Sequence, residues 1–93
     1  MTTEEIKKKI VPVLKQYGVT KAALFGSSAR GNMTKNSDVD VLVEIPKAAS
    51  LLEFIRLKLN LEDTLGRKVD LVEYQVIKPA IKEDILNSQV SIL

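Results

Sequence analysis

The chain has neither cysteine nor histidine among its 93 residues. The lack of cysteine excludes disulfides, thiolate metal sites and cysteine nucleophiles. The lack of histidine excludes Ser-His-Asp triads, histidine-bound zinc and imidazole acid–base catalysis. Any chemistry must therefore use carboxylates, lysine, arginine, hydroxyls, backbone amides or a metal bound by oxygen. Among metals this favours Mg²⁺ or Mn²⁺, which prefer carboxylate ligands.

Long apolar runs and an excess of one charge are also missing. No segment reaches the roughly 20 apolar residues of a membrane span, and the polar first nine residues do not read as a signal peptide. We therefore expect a cytoplasmic protein without a membrane partner. The 14 basic and 12 acidic residues leave a net charge of +2, and no basic stripe indicates contact with duplex nucleic acid.

Hydrophobic periodicity predicts one domain over residues 1–93, of small α/β type. The first helix begins with a capping box of Thr2 and Glu5 and ends at Gly18, and Pro12 predicts a kink in it or its division into two. Three further helices are predicted over 27–32, 50–65 and 79–87, and three strands over 21–25, 38–45 and 68–74. This order predicts a mixed sheet of three or four strands with flanking helices.

Two carboxylates stand side by side on the second predicted strand. Asp38 and Asp40 share one face, with about 6.5 to 7 Å between their Cα atoms. Carboxylates this close repel each other, and divalent cations held between them would relieve that repulsion. Taken alone, the pair is more typical of solvated acids on the polar face of an edge strand.

A glycine turn just before this strand has the composition of a phosphate site. Gly26 permits an unusual backbone conformation, and Ser27 begins a helix whose free N–H groups attract anions. Arg30 lies one turn further on and carries a permanent, fork-shaped positive charge. We therefore predict that Gly26, Ser27, Ser28 and Arg30 contact the phosphates of a nucleotide. An ordinary strand-to-helix turn, capped by Ser27, is about equally compatible with this stretch.

Asp70 is the third candidate acid, and it lies among apolar residues of the third predicted strand. An acid in such a run needs a partner, a metal or contact with water. An aspartate facing water on an edge strand is the more common explanation. Together with the other two acids, however, Asp70 is better explained as a third metal ligand, or as the group that accepts the proton of an incoming hydroxyl.

Three segments together carry a resemblance to a known family: Gly26-Ser27-x-Ala29-Arg30-Gly31, Ser37-Asp38-x-Asp40 and Val69-Asp70-Leu71-Val72. They resemble the minimal nucleotidyltransferases (MNT proteins) of the DNA polymerase β-like superfamily, and the likeness covers nearly the whole chain. The resemblance implies that Ser27 binds the triphosphate of ATP and that Asp38 and Asp40 hold two Mg²⁺ ions. Asp70 would join them at the catalytic metal, where an acceptor hydroxyl attacks the α-phosphate and pyrophosphate leaves.

The short chain leaves no room for the acceptor-binding domain of larger nucleotidyltransferases, so we expect the acceptor on another molecule. In the resembling family that partner is a HEPN toxin, a small helical ribonuclease that is AMPylated on a tyrosine. The resemblance thus implies an antitoxin in a hetero-oligomer with its toxin. Three alternatives stay open: adenylylation of a small hydroxylated molecule, inhibition by contact alone, and a non-enzymatic α/β domain. Apolar residues at 74–77 and 90–93 either complete the core or form a partner surface.

Overall fold

The computed structural model describes residues 2–30, 37–46 and 49–93, the side chain of residue 30 excepted. No helix within these ranges is long and apolar enough to span a membrane. The elements follow one another as α1 (Thr3–Gln16), β1 (Lys21–Leu24), α2 (Gly26–Arg30), β2 (Val39–Glu44), α3 (Leu51–Leu65), β3 (Val69–Glu73), a 3₁₀ turn (Tyr74–Val76), α4 (Pro79–Ser88) and β4 (Val90–Ser91).

The four described strands form one mixed sheet in the order β3-β2-β1-β4. Strands β2 and β3 are parallel and are joined by the crossover helix α3, whereas β1 is antiparallel to both of its neighbours. A parallel pair needs such a crossover because its two strands run in the same direction. The predicted α/β fold with a mixed sheet and flanking helices is confirmed.

The C-terminal segment 90–93 completes the sheet and the core. Val90 pairs with Leu24 and Ser91 with Ala23, so that β4 forms the edge strand next to β1. Ile92 is buried in the main hydrophobic cluster, and Leu93 packs against that cluster. Of the two explanations offered for these apolar residues, the structure therefore supports the one in which they finish the core.

Helix α1 is a single helix in spite of the proline within it. Its first turn is capped by Thr2, whose Oγ1 accepts a hydrogen bond from the backbone N–H of Glu5 at 3.1 Å. Pro12 is exposed, so the hydrogen bond that a proline cannot donate is lost on the solvent side, where water is available. The other face buries Ile6, Ile10 and Leu14.

Helix α3 ends as the sequence predicts. The Oγ of Ser50 accepts a hydrogen bond from the N–H of Glu53 at 3.2 Å, and Gly66 ends the helix with φ of +65°. Leu57, Leu61 and Leu65 face the core. Four large apolar side chains of this helix are exposed on its outward side, namely Leu51, Leu52, Ile55 and Leu59.

The two faces of the sheet bury different clusters. Val39, Val41 and Val43 point into the main core beneath α1 and α3, as the alternation on β2 predicts. Leu42 points to the opposite face, where it joins a smaller cluster with Ala23 and Ile77, against which Ile85 of α4 packs. Because side chains alternate along a strand, Asp40 shares this second face with Leu42. The second face is therefore apolar beneath α4 and acidic at one end.

Tyr74 fastens the end of β3 to the end of α4. Its hydroxyl donates a hydrogen bond to Oε1 of Gln89 at 2.9 Å, and Nζ of Lys21 lies 4.6 Å from the centroid of its ring. Burial, together with the nearby negative charge of Glu44, raises the pKa of the Tyr74 phenol. The folded chain therefore favours the neutral phenol over the phenolate.

We predict that Tyr74→Phe lowers the free energy of unfolding by about 1 kcal/mol near pH 7, because one hydrogen bond is lost. The pKa of Tyr74 is higher in the folded than in the unfolded chain. The stabilisation from the neutral phenol is therefore full below about pH 10 and disappears as the pH rises through the folded-state pKa. Urea unfolding of both proteins, in neutral and in alkaline buffer, should show the difference shrinking with pH. A difference that stays constant would contradict this account.

Candidate active site

The three predicted acids lie near the start of β2 and β3, two of them on these strands and one directly before β2. Asp40 and Asp70 are direct partners across the parallel pair of β2 and β3, and Asp38 immediately precedes β2. Adjacent strands are about 4.8 Å apart, and residues two apart on one strand point the same way. Asp40 is half-buried, whereas Asp38 and Asp70 are exposed. The fold thus brings onto one surface three acids that are as many as 32 residues apart in the sequence.

Asp40 is held by Phe25 and by the first residues of α2. Its backbone N–H donates a hydrogen bond to Oγ of Ser28 at 3.0 Å, and its carbonyl accepts one from the N–H of Phe25 at 3.1 Å. Its carboxylate lies against Gly26, where an added Cβ would be 3.3 Å from the carboxylate carbon and closer still to one oxygen. Since Gly26 also has φ of +60°, both its backbone and its lack of a side chain suit this contact.

The structure gives Ser28 a role that sequence reasoning missed. Its side chain is 1% exposed, and its hydroxyl accepts the hydrogen bond from Asp40 described above. Its carbonyl accepts a hydrogen bond from Oγ1 of Thr3 at 3.2 Å, which ties the turn to the start of α1. Ser28 therefore positions Asp40, and its predicted contact with phosphate stays a prediction. No local sequence pattern indicates this hydrogen bond, because Ser28 and Asp40 are 12 residues apart in the sequence.

Of the other predicted phosphate contacts, the structure describes Ser27 fully and Arg30 without its side chain. Helix α2 begins at Gly26, one residue earlier than predicted, and Ser27 lies half-buried in its first turn. Arg30 is the last residue of α2, and its side chain is outside what the structure describes. Residues 31 and 32, the last two of the predicted helix, also lie outside the described residues.

The donor set suits a magnesium ion, although its side chains are not gathered around one. Among the described residues, no three acidic side chains come close enough together to hold a metal ion. The exposed side chains of Asp38 and Asp70 are free to change rotamer at little cost. Three oxygen donors from two adjacent strands fit the hard-ligand preference of Mg²⁺.

A cavity of about 290 Å³ opens between the sheet and α4, with Asp70 in its lining. Sequence reasoning did not find it, because it forms only where α4 crosses the second sheet face. The spacing of Ile77, Ile81 and Ile85 is the signal that could have indicated an apolar helix face there. The cavity is lined by Phe25, Asp70, Val72, Val76, Ile77, Lys78, Ile81 and Ile85.

Alanine at Gly26 should disturb the site more than the fold. Gly26 and Gly66 both have positive φ, so alanine at either should lower the free energy of unfolding by about 1 to 2 kcal/mol. At Gly66 an added Cβ has nothing within 4 Å, whereas at Gly26 it pushes against the flexible carboxylate of Asp40.

We therefore expect similar losses of stability in Gly26→Ala and Gly66→Ala, measured by urea unfolding. Only Gly26→Ala should weaken the binding of Mn²⁺ with ATP, by about tenfold or more, as is usual when a residue that orients a ligand is changed. Equal metal and nucleotide binding by the two variants would contradict the importance of the Gly26–Asp40 contact.

Ser28→Ala should destabilise the fold because it leaves the N–H of Asp40 without its acceptor. A buried donor that loses its partner costs about 1 to 3 kcal/mol. Ser27→Ala in the same turn is the matched control, because Ser27 is only half-buried. Urea unfolding of the two variants should give the larger loss for Ser28→Ala, and equal losses would argue against the Ser28–Asp40 hydrogen bond.

Comparison with known proteins places this site in a family. Residues 7–92 match the nucleotidyltransferase domain family. MJ0435 of Methanocaldococcus jannaschii, named as a candidate protein adenylyltransferase, is 46% identical over 93 residues, which is 100% of both chains. The protein adenylyltransferase MntA of Thermococcus cleftensis is 38% identical over 94 residues, covering 97% of this chain and 95% of its own.

Solved structures have the same fold. A candidate minimal nucleotidyltransferase has a TM-score of 0.84 at 32% identity, covering 97% of this chain and 95% of that one. A chain of a toxin–antitoxin complex with AMP-PNP has a TM-score of 0.81 at 22% identity, covering 94% and 72%. A chain of the complex between a tri-AMPylated HEPN toxin of Shewanella oneidensis and its MNT antitoxin has a TM-score of 0.75 at 18% identity, covering 99% and 72%.

At the lower identities the likeness concerns the fold alone. The match to the family, by contrast, covers nearly the whole chain and includes the glycine turn and all three acids. The nucleotidyltransferase fold and enzyme class predicted from the sequence are therefore confirmed. This chain belongs to the nucleotidyltransferase domain family.

Proposed function

We propose that this chain is a Mg²⁺-dependent protein adenylyltransferase that transfers AMP from ATP to a tyrosine of a HEPN ribonuclease toxin and thereby acts as its antitoxin. The observation that carries the proposal is the pairing of Asp40 with Asp70 beside a glycine turn packed on the Asp40 carboxylate. The family fixes the reaction class as nucleotidyl transfer. The names of relatives at 46% and 38% identity support a protein as the acceptor.

Each residue of the site has a task in this reaction. Asp38, Asp40 and Asp70 would hold Mg²⁺, which when bound neutralises the charge of the triphosphate and lowers the pKa of the acceptor hydroxyl. The hydroxyl of Ser27 and the N–H groups of the turn would orient the phosphates. The bond between the acceptor oxygen and the α-phosphorus forms as the bond to pyrophosphate breaks, and Asp70 accepts the hydroxyl proton.

The partner is supported by the solved complexes and by the surface of the site. Two structures with this fold are toxin–antitoxin complexes, one holding AMP-PNP and one a tri-AMPylated HEPN toxin. In the present chain, the exposed apolar side chains of Val76 and Ile81 lie at the cavity beside Asp70. Apolar residues at a rim suit a protein acceptor better than a small polar molecule. The cytoplasm, which supplies ATP and Mg²⁺, is the proposed location.

ATP labelled at either the α- or the γ-phosphate tests the reaction. With Mg²⁺ and a cognate HEPN protein, only the α-label should reach the HEPN protein, and chelation of Mg²⁺ should abolish the transfer. Asp40→Asn should lower the rate by about 100-fold or more, since electrostatic stabilisation of the transition state is lost. Asp63→Asn, which changes an exposed acid of α3, is the matched control. Transfer of the γ-label would contradict nucleotidyl transfer.

The same variants separate catalysis from inhibition by contact. Cells that express the HEPN toxin should survive with the native chain and die with a chain carrying Asp38→Asn and Asp40→Asn. Co-purification would show whether the double variant still binds the toxin. Full protection by this catalytically inactive chain would favour an antitoxin that acts by binding alone. Label that appears only on a small hydroxylated metabolite would favour the small-molecule adenylyltransferase.

A further inference from the structure

The cavity between the sheet and α4, here called the Asp70 cavity, has the composition of a site for an aromatic side chain. Six of its eight described lining residues are apolar: Phe25 directly follows β1, Val72 lies on β3, Val76 and Ile77 lie at the 3₁₀ turn and just after it, and Ile81 and Ile85 lie on α4. Its volume of about 290 Å³ exceeds what a methyl or hydroxymethyl group would fill. An aromatic ring gains from burial against such walls in proportion to the apolar area that it covers.

One wall of this cavity is formed by Asp70. In the proposed function, Asp70 accepts the proton of the acceptor hydroxyl. Among the described lining residues, Asp70 is the only carboxylate and Lys78 the only cation. Gly26 and Ser27, the proposed phosphate contacts, do not line the cavity. The proposed triphosphate site and the Asp70 cavity are therefore distinct but adjacent, because Phe25, which directly precedes Gly26, is a lining residue of the cavity.

In-line displacement needs this separation. The attacking oxygen and the leaving pyrophosphate must stand on opposite sides of the α-phosphorus. If the pyrophosphate lies toward the glycine turn, which follows β1, the attacking oxygen arrives from the β3 side of Asp40, where Asp70 and Val72 form one wall of the cavity. A general base must be within hydrogen-bond reach of the proton that it removes.

We propose that the Asp70 cavity binds the aromatic ring of the acceptor tyrosine and thereby selects a phenol over an aliphatic hydroxyl. This inference rests on the proposed function and names the part of the chain that sets its acceptor specificity. The phenolic O–H proton passes to Asp70, the phenolic oxygen bonds to the α-phosphorus, and pyrophosphate leaves with the electrons of the broken P–O bond. A purine base fits the cavity less well, because its polar edge needs several partners and the described lining offers polar side chains only from Asp70 and Lys78.

Binding can be tested without ATP, which keeps this test independent of the proposed function. The ¹⁵N-labelled full chain is titrated with N-acetyl-tyrosinamide, N-acetyl-serinamide or adenosine, and amide resonances are followed by NMR. N-acetyl-tyrosinamide should shift the resonances of Val72, Ile81 and Ile85, and N-acetyl-serinamide should not. Ile81→Trp should fill the cavity and abolish these shifts. Leu59→Trp on α3 is the matched control, because Leu59 is 54% exposed and Ile81 is 49% exposed.

Transfer is then measured with N-acetyl-tyrosinamide as the acceptor, ATP and Mg²⁺, by mass spectrometry of the AMP ester. Ile81→Trp should lower the rate by about tenfold or more, as expected when a specificity pocket is altered, while the affinity for ATP stays that of the native chain. Leu59→Trp should leave both quantities unchanged.

Three results would overturn the inference. Shifts of Val72, Ile81 and Ile85 by adenosine but not by N-acetyl-tyrosinamide would assign the cavity to the nucleobase. Equal shifts with N-acetyl-serinamide, or none with any probe, would show that the cavity does not select a phenol. If N-acetyl-tyrosinamide binds in the cavity but the chain transfers AMP to no acceptor, the proposed function itself fails, so the two failures are distinguishable.

Discussion

The placement of Asp40 is the constraint on which the site depends. Its N–H and carbonyl are held by Ser28 and Phe25, and its carboxylate packs on the bare backbone of Gly26. Ser28 in turn is tied to the first helix through Thr3. The segment that would bind phosphate and the acid that would bind metal are thus in direct contact with each other. A change in the turn must therefore move the carboxylate, even when no ligand is touched directly.

The two faces of the sheet differ in role: one packs in the main hydrophobic core, and the other carries the candidate active site. One face holds the larger cluster of valines and leucines, beneath α1 and α3. The other face is covered by α4 only in part, which leaves acids at one end and the Asp70 cavity beside them. Because side chains alternate along a strand, the buried valines of β2 and the acid Asp40 can be neighbours in sequence without sharing an environment.

Prediction from the sequence succeeded where local signals were strong. The alternation of β2, the caps of α3 and the turn glycines each fix a local conformation through neighbouring residues, and each was placed within about one or two residues. Among the features that were missed are β4, which has only two residues, and the hydrogen bond from Asp40 to Ser28. Both arise from contacts between residues far apart in the chain, for which short-range periodicity carries no signal.

The sequence by itself determined which chemical groups are available: oxygen ligands only, three acids on or directly before strands, and a glycine turn before the second strand. It also determined which strand face each acid shares, because alternation is a local property. Only the tertiary structure decided that Asp40 and Asp70 are opposite each other, since strand pairing is set by packing of the two strands against the same helices. The cavity beneath α4 likewise exists only after the chain has folded over the sheet.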